Sequence, residues 1–105
     1  MTRKLKILSV SSAGDKAILT GDGNNWIHDV KVYNGGGESL TVQVSIKDSN
    51  GGDNSSFNIM RAVTLAAGAQ ALLHGAHLES GDVYKLVFIG SSVTANILVN
   101  YATDS

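Results

Sequence analysis

Apolar and polar residues alternate along most of this chain, and glycine-rich polar clusters cut the alternation into short pieces. Residues 40–47 show it best: Leu40, Val42, Val44 and Ile46 alternate with Thr41, Gln43, Ser45 and Lys47. A period of two puts one set on a buried face and the other in water, so this segment reads as a half-buried strand. Val93, Ala95, Ile97, Val99 and Tyr101 repeat the pattern against Thr94, Asn96, Leu98 and Asn100. Residues 83–89 are apolar almost throughout, apart from Lys85, as expected near the centre of a sheet. A regular strand over 26–33 puts Trp26, His28, Val30 and Val32 on one face, with Ile27, Asp29, Lys31 and Tyr33 on the other.

Other strands are written less clearly. In 5–10, Leu5, Ile7 and Ser9 alternate with Lys6, Leu8 and Val10, which leaves the register open. A short strand covers 16–20. Phe57, Ile59, Arg61, Val63 and Leu65 mark another, with Arg61 at a sheet edge or pointing at a partner. In 69–74, Ala69, Ala71 and Leu73 oppose Gln70, Leu72 and His74. The cluster Asn34-Gly35-Gly36-Gly37-Glu38 reads as a turn joining 26–33 to 39–47 in a hairpin, and 48–56 reads as a polar surface loop.

Together these make seven or eight strands, about 10–15 residues apart. The fold class expected is all-β: a single antiparallel β-sandwich, jelly-roll or immunoglobulin-like. A helix over 62–76 competes, because the stretch is rich in alanine. Gly68 and Gly75 interrupt it, and its apolar residues keep no 3.6-residue period.

Composition narrows the picture. A chain of 105 residues is one domain, and 43% hydrophobic residues argue against wholesale disorder. A net charge of −1 leaves nucleic acid and anionic membranes out as partners of the whole molecule. Arg3, Lys4 and Lys6 form a local basic cluster, read as a short solvated arm over about residues 1–6 or as an anchor on an acidic partner. Residues 102–105 read as a frayed end.

Cysteine is absent, which excludes disulfides, zinc-thiolate sites and thiol catalysis and fits a reducing cytoplasm. The apolar stretch 5–10 is too short for a signal peptide, and no run approaches the ~20 apolar residues of a membrane helix. With no proline and 12 glycines, turns must come from Gly, Asn, Asp and Ser.

Candidate chemistry is sparse. His74 and His77 are spaced to share a metal if the backbone turns between them, with Glu79 and Asp82 the nearest acids. Solvated loop histidines explain the pair better. Residues 48–54 superficially resemble a calcium loop, but the glycine offset is wrong and no closing glutamate follows. Asn34-Gly35-Gly36-Gly37 lacks the Lys-Ser/Thr ending of a phosphate loop, and no serine sits in Gly-x-Ser-x-Gly. Trp26, with Tyr33, Tyr84 and Tyr101, offers a sugar-stacking surface, though a lone Trp in a sandwich belongs more often to the core.

The order of turns carries a likeness. It runs through Asp29-Val30-Lys31-Val32-Tyr33-Asn34, Leu40-Thr41-Val42-Gln43-Val44, Val63-Thr64-Leu65-Ala66-Ala67-Gly68 and Leu78-Glu79-Ser80-Gly81-Asp82. It closes on Val93-Thr94-Ala95-Asn96-Ile97-Leu98-Val99-Asn100-Tyr101. From about Trp26 onward this resembles small β-sandwich virion accessory proteins of tailed bacteriophages. The resemblance departs at 48–56 and in the basic N-terminal segment.

The resemblance implies a non-enzymatic structural protein of the virion, made in the host cytoplasm. It would bind other virion structural proteins as a homo-oligomeric head decoration, neck or tail-associated subunit. Arg3, Lys4, Lys6, Arg61, His74 and His77 are the candidate partner contacts, and no catalytic residue, cofactor or metal is expected. The alternatives are a glycan-binding module built on Trp26 and a small metal-dependent enzyme built on His74 and His77.

Overall fold

The computed structural model describes residues 2–23, 25–48 and 61–103, with the backbone alone at 56–58. These residues form nine strands. They are β1 (Thr2–Val10), β2 (Gly14–Thr20), β3 (Asn25–Asn34), β4 (Leu40–Lys47), β5 (Ser56–Asn58), β6 (Val63–Leu65), β7 (Gln70–Leu78), β8 (Val83–Ile89) and β9 (Ala95–Thr103).

Pairing is nested. β1 pairs with β9, β2 with β8, β3 with β7, and β4 with both β5 and β6, all antiparallel. The chain is one long hairpin, rolled until β9 meets β3 and β8 meets β4. The result is a sandwich of two sheets, β1-β9-β3-β7 (sheet A) and β2-β8-β4-β5/β6 (sheet B). This is the jelly-roll order, so the all-β sandwich expected from the alternation is the fold.

The inner faces follow the period-two pattern. Val42, Val44, Leu86 and Phe88 from sheet B meet Val30, Val32, Ile97 and Val99 from sheet A, all at 0–1% exposure. β8 lies inside sheet B, between β2 and β4, as its continuous apolar run requires. Tyr84 is fully buried, and its hydroxyl crosses the core to donate to the His74 carbonyl oxygen on β7.

Two turns after Leu-x-x-Gly stretches carry the chain between sheets. Ala69 N–H donates to Ala66 O at 2.9 Å with Gly68 at φ 80°, and Asp82 N–H donates to Glu79 O at 3.0 Å with Gly81 at φ 88°. Positive φ at the third position is the type II geometry that glycine supplies without strain.

Asn34 is the corner of the molecule. It is 1% exposed, and its amide Nδ2 donates to Glu38 O at 2.8 Å and Leu65 O at 3.0 Å. Its Oδ1 accepts from Gly36 N–H at 3.1 Å. Its backbone N–H donates to Ala69 O at 2.9 Å, and its carbonyl accepts from Gly68 N–H at 2.8 Å.

Several expectations are corrected. The glycine-rich link at 34–38 makes no hairpin, because β3 belongs to sheet A and β4 to sheet B. The basic segment is no arm: Thr2 pairs with Thr103 and every residue up to Val10 has a partner on β9. The same pairing puts Ala102 and Thr103 in a strand rather than a frayed end. The strand expected around Arg61 is split into β5 and β6, with Arg61 exposed between them. Among the described residues there is no helix, so the helical reading of 62–76 falls.

Burial raises the pKa of Tyr84 above the ordinary tyrosine value. Neutral tyrosine is therefore favoured in the folded state. Its contribution is complete below pH ~10 and is lost as pH climbs towards the folded-state pKa. Tyr84→Phe should cost about 1 kcal/mol at neutral pH, by losing one hydrogen bond. Urea unfolding should show the variant's stability falling less than the wild type's above pH ~10.

Candidate functional site

The outer face of sheet A is the candidate site, and a bulge in β3 builds it. On β9, Ile27 faces Tyr101 and Asp29 faces Asn100, so His28 is an extra residue. A bulge shifts the phase of a strand by one. Ile27, Val30 and Val32 are consequently buried, while Trp26 and Tyr33 are 41% and 40% exposed. The face assignment drawn from regular alternation is thus corrected: Trp26 lies outside, with Asp29, Lys31 and Tyr33.

β7 shifts in step. Ile27 pairs with Ala76 and Asp29 with His74, which leaves Gly75 opposite His28. A Cβ on Gly75 would sit 2.0 Å from Ile27 O and 2.6 Å from His28 O. Only glycine lets the two backbones approach this closely. The shift also explains why His74 and His77, three residues apart, are both exposed while Leu73 and Leu78 are buried.

Strand register arranges the outer face in four rows. Arg3, Ala102, Trp26 and His77 form the first; Leu5, Asn100, Asp29 and His74 the second. Ile7, Leu98, Lys31 and Leu72 form the third; Ser9, Asn96, Tyr33 and Gln70 the fourth. Among the described residues, six large hydrophobics stay exposed: Leu5, Ile7, Trp26, Tyr33, Leu72 and Ile89. All but Ile89 lie on this face.

Polar contacts on the face are few. Trp26 and His77 stack with ring centroids 4.0 Å apart and planes at 25°. Arg3 Nε donates to Asn100 Oδ1 at 3.1 Å, and Asn100 Nδ2 reaches Asp29 Oδ2 at 3.5 Å. Two shallow hollows dent the sheet, one lined by Ile7, Lys31, Tyr33 and Leu98, the other by His28, Asp29, Leu72 and His74.

The six expected contact residues do not form one surface. Arg3, His74 and His77 share the outer face of sheet A. Lys4 and Lys6 alternate to the opposite side of β1, and Lys6 Nζ donates to Ile18 O on β2 at 2.9 Å. Arg61 is exposed between β5 and β6, in the other sheet's part of the chain. Among the described residues no group of three metal-binding side chains is assembled around His74 and His77. The stretch compared with a calcium loop lies, from residue 49 to 54, outside the described residues.

Leu5, Ile7, Leu72 and Leu98 were missing from the expected contacts. Their signal was present as apolar residues standing opposite a second apolar set, as Leu5 and Ile7 stand opposite Leu8 and Val10. Trp26 gave no such signal, because the bulge that turns it outward leaves no mark in the hydrophobic pattern.

No family model matches the chain, and no curated protein matches it. Solved structures do. The crystal structure of PirA is similar over 95% of this chain and 93% of that one, at 13% identity and a TM-score of 0.51. Hydroquinone 1,2-dioxygenase from Sphingomonas sp. TTNP3, with 4-hydroxybenzoate bound, aligns over 95% of this chain and 60% of that one. Its identity is 16% and its TM-score 0.44. The likeness to PirA is one of fold.

Gly75→Ala should destabilise the protein by about 2 kcal/mol, as overpacking of a closed site does. Urea unfolding measures the loss. Trp26 emission should shift in the folded variant, since Gly75 is two residues from His77, whose ring stacks on Trp26.

Proposed function

We propose that this chain is a non-enzymatic structural subunit that docks through the outer face of sheet A. The carrying observation is the gathering there of five exposed large hydrophobics: Leu5, Ile7, Trp26, Tyr33 and Leu72. A contiguous apolar patch marks an interaction site, and here Leu5, Ile7, Leu98 and Tyr33 adjoin, with Asp29, Asn100 and His74 between them and Trp26. Such a face offers area for docking.

The turn pattern's resemblance to tailed-phage virion accessory proteins supplies the setting: a head, neck or tail-associated subunit, made in the host cytoplasm and carried in the particle. Jelly rolls serve as capsid subunits and also as lectins, so the fold supports this reading only by analogy.

A second reading has an observation of its own. Trp26 and Tyr33 are both exposed on one face, the arrangement a glycan-binding module uses. Against it, the Trp26 ring already stacks on His77.

Mass spectrometry and immunogold labelling of purified particles test the first reading. The chain should be present at a fixed copy number, and its absence overturns the virion setting. Trp26 emission should stay unchanged across a panel of oligosaccharides. A saturable shift abolished by Trp26→Ala would transfer the function to the glycan reading.

A further inference from the structure

The outer face of sheet A is complementary to itself. Place a two-fold axis in the plane of the face, across the strands, between the row of Asp29 and the row of Lys31. Each strand then lies over the same strand of a second copy, running the other way. The second row meets the partner's third, and the first meets the partner's fourth.

On β1 and β3 the pairings that result are chemically matched, while on β9 and β7 Asn100 meets the partner's Leu98 and His74 the partner's Leu72. Asp29 faces the partner's Lys31, and Lys31 the partner's Asp29. Leu5 faces the partner's Ile7. Trp26 faces the partner's Tyr33. Each contact occurs twice, as an isologous interface requires. Asp29 and Lys31 are two residues apart on the same face of β3, and no ion pair joins them within the chain. Their opposite signs on adjacent rows fit a second copy. They fit a uniformly acidic or basic partner poorly.

We propose that this chain forms a two-fold dimer by packing the outer faces of sheet A together, with reciprocal Asp29–Lys31 pairs at its centre. This rests on the docking role given above to that face. Two sheets packed face to face keep their strands within about 30° of each other, so the dimer is a four-layered sandwich. Four strands of 9 or 10 residues give a face roughly 20 Å by 30 Å at ordinary spacings, or about 600 Å² per partner. That is about 1,200 Å² in total, the low end of specific interfaces.

Sedimentation equilibrium from 1 to 200 μM checks this on the full chain. The wild type should pass from monomer to dimer, with Trp26 emission moving to the blue over the same range. Lys31→Asp alone and Asp29→Lys alone place like charges opposite each other, and each should weaken association at least tenfold. The double exchange, Asp29→Lys with Lys31→Asp, restores opposite charges and should return it to within about threefold of wild type. Lys31 is exposed and Asp29 half-buried, so circular dichroism and thermal melts check that the variants fold.

A wild type that stays monomeric at 200 μM, a ring larger than a dimer, or a dimer indifferent to the single reversals overturns the proposal. So does a double exchange as weak as the single changes. These outcomes are separable from the virion setting: a monomer found on particles removes only the dimer, and a dimer absent from particles removes only the setting.

Discussion

A strand that leaves one sheet for another must satisfy its backbone at the corner, and here that task falls on the Asn34 side chain. The amide both donates and accepts, so one residue closes the link to β4 through Glu38 and Gly36 and the end of β6 through Leu65. Beside it, Gly35 N–H donates to Thr94 O at 2.9 Å, drawing the β8–β9 connection to the same point. Three crossings between the sheets thus converge on one buried group. An aspartate there lacks the donors and an aliphatic residue lacks both functions. Either leaves the buried Leu65 carbonyl unpaired, at a cost of about 1–3 kcal/mol.

The other end of β3 is held in a similar way. Asn25 is buried, and its Oδ1 accepts from Asp22 N–H at 2.6 Å. With both ends fixed, the extra residue at His28 has to be absorbed within the strand. Gly75 provides the space on the neighbouring strand. The chain of dependence runs from corner to register, from register to bulge, and from bulge to the side on which Trp26 emerges. The outer face of sheet A is therefore a consequence of how β3 is anchored.

The parts of the fold legible in the sequence were those with an uninterrupted period. Residues 40–47 read correctly because every second residue had one destination, and 83–89 read correctly as a strand inside a sheet, although Ile89 at its end is exposed. The turns at Gly68 and Gly81 read correctly because positive φ needs glycine. A glycine-rich link does not say which sheet receives the next strand, so a hairpin and the β3–β4 crossing are written alike in sequence. The bulge was invisible because a phase slip of one residue leaves composition unchanged, and with it went the placement of Trp26. The basic residues misled for another reason. Lys6 looks like part of a solvated arm, but on an edge strand it is bound to the carbonyl of Ile18. Of the residues expected as contacts, Arg3, His74 and His77 lie on the outer face of sheet A, whose exposed apolar residues were not among them.

The nested pairing has a kinetic side. β9 lies between β1 and β3, so β1 has no neighbour in sheet A until the last strand is in place. Closing Thr2 against Thr103 joins positions about a hundred residues apart, and such distant contacts are slow to form. The pairing of β4 with β5 and β6 joins nearby residues, a much smaller loop to close than the one between β1 and β9. With no proline in the sequence, no isomerisation step delays any stage of folding. Sheet A is therefore incomplete until β9 is available to bridge β1 and β3.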